Sequence, residues 1–190
     1  MSDAKLRVGI VIGSTRPGRK AVDVANWVLN IARSRGDAEY ELVDIAAFSL
    51  PLLDEPVPPS MGKYQKDHTK AWAEKVGSLD AFIFVTPEYN HGTSAALKNA
   101  IDFVYAEWNN KSAGFVGYGA TGATRAIEHL RGYMGEVQIA DVRAQVGLNL
   151  ADDFEQWTTF KPRPQHEAVL GTLLDQLIGW GTALKAAYRK

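Results

Sequence analysis

The segment Ala81-Phe82-Ile83-Phe84-Val85-Thr86 is apolar at every position but the last. Such a strand has no face to offer water, so it must be covered on both sides, as in a parallel sheet between two helix layers. Leu6-Arg7-Val8-Gly9-Ile10-Val11-Ile12 is a second apolar strand, and around these two the chain alternates. Helix 1 is expected over 17–35, with Val22, Ala25, Val28, Leu29 and Ala32 inward and Gly36 as its stop. A short strand 2 follows at 41–45. Next comes a proline-rich irregular stretch over 48–65, holding Pro51, Pro56, Pro58 and Pro59, where missing amide donors forbid helix interiors. Helix 2 is expected over 67–78 and strand 3 over 81–86. Helix 3, capped by Thr93 or Ser94, runs to about Glu107. Strand 4 covers 113–118, helix 4 covers 124–134 and strand 5 covers 137–146. A last helix spans 165–187, its inner stripe being Val169, Leu173, Leu177, Trp180 and Leu184. Alternating strands and helices imply one parallel sheet with helices on both faces.

Ligands of such sheets bind where neighbouring strands send their crossovers to opposite faces, which in the order 2-1-3-4-5 lies between strands 1 and 3. Both strands end in informative loops. Gly13-Ser14-Thr15-Arg16-Pro17-Gly18-Arg19 follows strand 1. It is not a nucleotide-triphosphate loop, because Arg19-Lys20-Ala21 follows the second glycine where lysine and a hydroxyl are needed. Nor does it have the glycine spacing of a dinucleotide fingerprint. It offers a hydroxyl at Ser14, guanidinium groups at Arg16 and Arg19, and the free amides of a helix start, a set that suits a phosphate monoester. The competing reading is an ordinary strand-to-helix turn with solvated arginines.

Pro87-Glu88-Tyr89-Asn90-His91-Gly92 follows strand 3. Tyr89 can stack on or flank a ring, and Asn90 with the free amides can bond a pyrimidine edge. The plain alternative is a turn with Tyr89 packed locally and Glu88 solvated. Glu88 and His91 lack a third ligand, so no metal site is expected. A third loop, Gly117-Tyr118-Gly119-Ala120-Thr121-Gly122, lets backbone approach a planar ligand, with Tyr118 at its edge. Trp108 is either an interface anchor or core. His68, His129 and His166 form no hydrolytic triad.

The 190 residues carry 21 basic and 22 acidic side chains, a net charge of -1, which argues against a nucleic-acid surface. That length is read as one domain, 1–190. The absence of cysteine excludes disulfides and thiol nucleophiles and agrees with a cytoplasmic setting. The apolar runs fall short of the ~20 residues that span a bilayer, and the polar start, Met1 to Leu6, lacks the apolar core of a secretion signal.

Three segments together resemble the NADPH-dependent FMN reductase family of flavodoxin-like proteins: Gly13-Ser14-Thr15-Arg16, Thr86-Pro87-Glu88-Tyr89-Asn90 and Leu97-Lys98-Asn99-Ala100-Ile101-Asp102. The resemblance runs from about Lys5 to Leu148. It implies a flavodoxin-like three-layer α/β sandwich and an FMN-dependent oxidoreductase that passes electrons from NADPH or NADH to a quinone, free flavin or similar small acceptor. Ser14, Arg16 and Arg19 would hold the FMN phosphate. Pro87, Glu88, Tyr89 and Asn90 would line the ribityl chain and isoalloxazine, with Gly119 approaching from the third loop. Relatives commonly carry a small hydroxyl residue where Arg19 stands, which makes the amides of Lys20 and Ala21 further candidates. No catalytic side chain is implied. A homodimer or homotetramer is implied, with Trp108 and the proline-rich stretch near the interface. The competing readings are a non-catalytic FMN electron carrier and a flavin-binding interaction module.

Overall fold

In the computed structural model, which describes residues 5–188, β3 (Ala81–Pro87) is buried along its whole length. It pairs in parallel with β1 (Arg7–Ile12) on one side and β4 (Lys111–Gly119) on the other. With β2 (Glu39–Asp44) and β5 (Ile139–Asn149) at the edges, the sheet has the order β2-β1-β3-β4-β5. Ile10 sits level with Leu42 and Ile83, and Phe84 with Phe115. Met1 to Ala4, part of the polar start noted above, lie outside the described residues.

The alternation within β3 sorts the two faces. Ile83 and Val85 join Ile10 in a cluster closed by Val24 and Val28 of α1 (Ala21–Arg35) and by Leu173 and Leu177 of α5 (Gln165–Tyr188). Phe82 and Phe84 point the other way, into a cluster with three helices. These are α2 (Asp67–Gly77), α3 (Ala95–Asp102) and α4 (Thr124–Glu136), which contribute Trp72, Leu97, Ile101 and Ile127. The crossovers leaving β1 and β3 therefore run to opposite faces, and the crevice opens between the two strand ends.

Four expectations change. Helix 1 starts at Ala21 rather than Pro17, because Gly18 takes a left-handed φ of 67° and the Arg19 amide bonds the Arg16 carbonyl, making a turn first. Helix 3 ends at Asp102 instead of near Glu107. There the Trp108 indole N–H donates to the Ile101 carbonyl (3.1 Å) and Asn109 donates to the carbonyls of Tyr105 and Val137, so side chains satisfy groups that a longer helix would use. Trp108 is thus core, not interface: it is 1% exposed and packs edge-on against Phe82 and Trp72. On α5 the inner face runs through Leu170, Leu173, Leu174, Leu177 and Gly181, which leaves Val169 and Trp180 exposed. Contact is made at Gly181 because a β-carbon there would lie 2.9 Å from both Leu6 and Ser112, so only glycine lets the helix come that close.

The stretch between β5 and α5, irregular by sequence, holds a small antiparallel hairpin of β6 (Phe154–Glu155) and β7 (Thr159–Phe160). A short 3₁₀ turn at Ile45–Phe48 leads into the proline-rich stretch, which carries another at Pro59–Met61. Among the described residues no helix is long and apolar enough to cross a membrane.

Candidate functional site

The crevice begins at Gly13, whose amide donates to the Val85 carbonyl of β3 (2.9 Å). A β-carbon at Gly13 would lie 2.6 Å from that same carbonyl, so the close approach of the two strand ends requires glycine. The Ser94 hydroxyl donates to the Gly13 carbonyl (2.6 Å) and accepts from the Leu97 amide (3.0 Å). One side chain thus caps α3 and pins the first loop. Thr86 and Thr93 share a hydroxyl bond of 2.8 Å beside it.

A cleft of about 350 Å³ lies among the three loops. The first loop lines it with Arg16, Pro17, Gly18, Arg19 and Lys20; the second with Pro87, Glu88 and Tyr89; the third with Tyr118 and Gly119. Ser14 is fully buried at its edge, with its hydroxyl 3.1 Å from that of Tyr89. The Arg16 guanidinium is exposed and has no ion-pair partner among the described residues. Lys20 precedes α1 and Ala21 opens it, so their amides belong to the helix start, where backbone N–H groups have no intrahelical acceptor.

The Tyr118 hydroxyl is the telling group. It is buried without a full hydrogen bond of its own. Burial, then the nearby Tyr89 phenol, push its pKa well above the ordinary tyrosine range, while the Ser14 hydroxyl, the Ala21 amide and the Arg16 charge work against them. An unsatisfied buried O–H among a hydroxyl, a helix-start amide and a guanidinium is what a phosphate ester would complete. By this test the residues fit the phosphate of FMN.

Two expected contacts find other partners. Arg19 makes a two-pronged ion pair with Asp44 at the end of β2 and donates to the Ser14 carbonyl (2.6 Å). Its charge is therefore matched within the chain, and it fixes the shape of the loop. Glu88 is not solvated: its carboxylate is 6% exposed and meets the Arg125 guanidinium and the amides of Arg125 (3.1 Å) and Ala126 (3.4 Å). The residue before α4, Ala123, has a left-handed φ of 57° and no capping side chain, so Glu88 caps α4 from another loop. Burial alone would push the Glu88 carboxyl up. The Arg125 hydrogen bond, the two amides and the Arg125 charge outweigh it and hold the carboxyl below its usual range.

Tyr89 and Gly92 exchange backbone hydrogen bonds of 2.9 and 3.1 Å, with Asn90 and His91 at φ 50° and 69° between them. Left-handed geometry at both central positions is the type I′ pattern, for which asparagine is a preferred first residue. Asn90 stands exposed at its tip. A β-carbon on Gly119 would lie 3.3 Å from that of Glu88, so the second and third loops touch there. Sequence reading missed Leu150 and Trp157, which also line the cleft. Both come from beyond strand 5, and nothing local in Gln156-Trp157-Thr158 marks a site.

Fold and cleft define a flavodoxin-like protein with its crevice at the switch point of the sheet. The chain belongs to the NADPH-dependent FMN reductase family, whose model matches residues 6–153. It is similar to an NAD(P)H-dependent FMN reductase of Schizosaccharomyces pombe, with 38% identity over 149 residues, 77% of this chain and 74% of that one. It is also similar to a 2-hydroxy-1,4-benzoquinone reductase of a Burkholderia species, at 29% identity over 70% of this chain and 73% of the other. The flavoenzyme NAD(P)H:(acceptor) oxidoreductase FerB of Paracoccus denitrificans shares the fold, with a TM-score of 0.72, 19% identity, and coverage of 94% of this chain and 98% of the other.

Proposed function

We propose that the cleft between the three loops holds FMN and that the protein is an NAD(P)H oxidoreductase delivering electrons to a quinone, free flavin or similar small acceptor. The unpartnered buried hydroxyl of Tyr118, facing Ser14, Ala21 and Arg16, carries this reading. Family membership supports an enzyme over a non-catalytic carrier or an interaction module. When bound, FMN supplies the two-electron chemistry that accepts a hydride from the nicotinamide and passes electrons onward.

The chain's own residues bind and orient. Arg16 offers two parallel N–H donors to phosphate oxygens, and the amides of Lys20 and Ala21 add donors where the helix dipole is positive. Ser14 and Tyr118 contribute hydroxyls. Arg19, held by Asp44, keeps Ser14 in place. Tyr89 spans from Ser14 toward the ring end, with Pro87, Asn90 and Gly119 as the wall there. Glu88 acts through Arg125, setting the second loop against α4 as a positioning residue.

The same reading takes the chain as one domain, since the five larger helices of the described residues pack on a single sheet. A near-neutral charge and the absence of cysteine favour a cytoplasmic protein without nucleic-acid partners. Exposed Leu52, Leu53 and Met61 on the proline-rich stretch favour a homodimer or homotetramer, which sedimentation velocity reads directly.

Flavin fluorescence titration tests the site. A charge-assisted hydrogen bond is worth about 1.5–3 kcal/mol, so FMN binds at least roughly tenfold tighter than riboflavin. Equal affinities would sink the phosphate assignment. Anaerobic stopped-flow with NADPH or NADH bleaches the bound flavin. Failure of both nicotinamides would return the carrier reading.

A further inference from the structure

The family match ends at residue 153, and the β6–β7 hairpin begins at the next residue. Its stem is an ordinary small core. Phe154 is 2% exposed and packs on Phe160 (5.1 Å between ring centres), which packs on Trp27 (5.9 Å). Its tip is not. Trp157 is 59% exposed, lines the cleft, and holds a left-handed φ of 61° in a turn whose neighbour Gln156 is also left-handed at 49°. Glycine is the favoured residue there, and packing within the chain gives no reason for a large ring.

The tip is held firmly at the loop 1 side of the cleft. Lys20, the residue before α1, donates its ammonium to the Thr158 carbonyl (3.1 Å) and lies 5.5 Å above the Phe154 ring. At the base, the fully buried Asp153 carboxylate accepts from the Asn149 and Arg163 amides, the Arg163 guanidinium and the His166 ring. The Lys161 amide closes the hairpin on the Asp153 carbonyl (2.9 Å). A braced hairpin thus presents one outward indole where the anion-receiving loop ends.

We propose that Trp157 retains FMN: its indole covers the ribityl–phosphate arm and slows the cofactor's release. This assignment rests on the cleft being the FMN site. An aromatic surface over an apolar and hydroxylated arm excludes water from the charged contacts below it and raises the barrier to leaving.

The test is the rise of free-flavin fluorescence after dilution of FMN-loaded protein. Trp157→Gly suits the left-handed backbone, so it removes the indole and leaves the turn intact. Release quickens on the order of tenfold in this variant, and Trp157→Phe falls between it and the parent chain. Should thermal melting show Trp157→Gly to be destabilised, Trp157→Asn, which also takes this conformation readily, replaces it. Release at the parent's rate in a folded variant overturns the tryptophan assignment and leaves the FMN site standing. A parent chain that binds no FMN overturns the site itself, and the assignment with it.

Discussion

Arg16 and Tyr89 differ in what they reach. Arg16 is exposed; its backbone amide donates to the Ser14 hydroxyl (3.3 Å) and its carbonyl accepts from the Arg19 amide (3.1 Å), while its guanidinium has no ion-pair partner among the described residues. In the proposed site its guanidinium serves the phosphate alone. Arg16→Ala therefore weakens FMN binding roughly tenfold or more, with turnover nearly intact once flavin saturates. The family resemblance implies that Tyr89 lines the ribityl chain and the ring. Its hydroxyl reaches Ser14, so it belongs to both ends of the cleft. Tyr89→Phe costs FMN affinity a few-fold, in line with about 1 kcal/mol for a neutral hydrogen bond. Tyr89→Ala also lowers the hydride-transfer rate at saturating FMN, because the ring wall goes too. That rate, measured for Arg16→Ala and Tyr89→Ala side by side, decides the matter: equal losses would mean that the two loops do not divide their work. That Ser14, Arg16 and Tyr89 come together was legible, because they follow the two strands that flank the switch point. The surroundings of Tyr118 were not, since an unsatisfied hydroxyl depends on what fails to approach it.

Among elements, α4 shows how far local pattern goes. Its existence and its start at Thr124 follow from sequence spacing, yet the group that caps it does not, because it comes from Glu88, in the loop after β3. The inward face of α5 is likewise chosen from afar, by the close approach of Gly181 to Leu6 and Ser112. Long-range contacts of this kind leave no periodic trace. The Glu88 cap has a pH signature. Its carboxyl titrates below 4.5, its ordinary value, so the stabilisation is present above that pH and is lost as pH falls through the folded value. Glu88→Gln costs roughly 1–3 kcal/mol at pH 7, by loss of charge at both Arg125 and the helix start. Denaturant unfolding at pH 7 and pH 3 checks this: the gap between variant and parent narrows at the lower pH. A gap of equal size at both would show that the charge contributes nothing.

At the scale of the whole molecule, the parallel sheet and its order were legible from two strands apolar on both faces and from the alternation around them. The switch point followed from topology alone. The hairpin that overhangs it was not legible, because its short strands and the turn through Gln156 and Trp157 lack glycine or proline markers.

Ser94 joins strand and helix at that switch point through one hydroxyl, donating to Gly13 and accepting from Leu97, while the Gly13 amide is itself bonded to Val85. An opening that frees the α3 start must also loosen the end of β1. In native-state hydrogen exchange the amides of Gly13 and Leu97 accordingly exchange as one cooperative unit with a shared opening free energy. Ser94→Ala splits them, Leu97 exchanging sooner while Gly13 keeps its bond to β3. Unchanged, matched exchange in that variant would mean that the mouth of the cleft is stiffened by packing rather than by this hydroxyl.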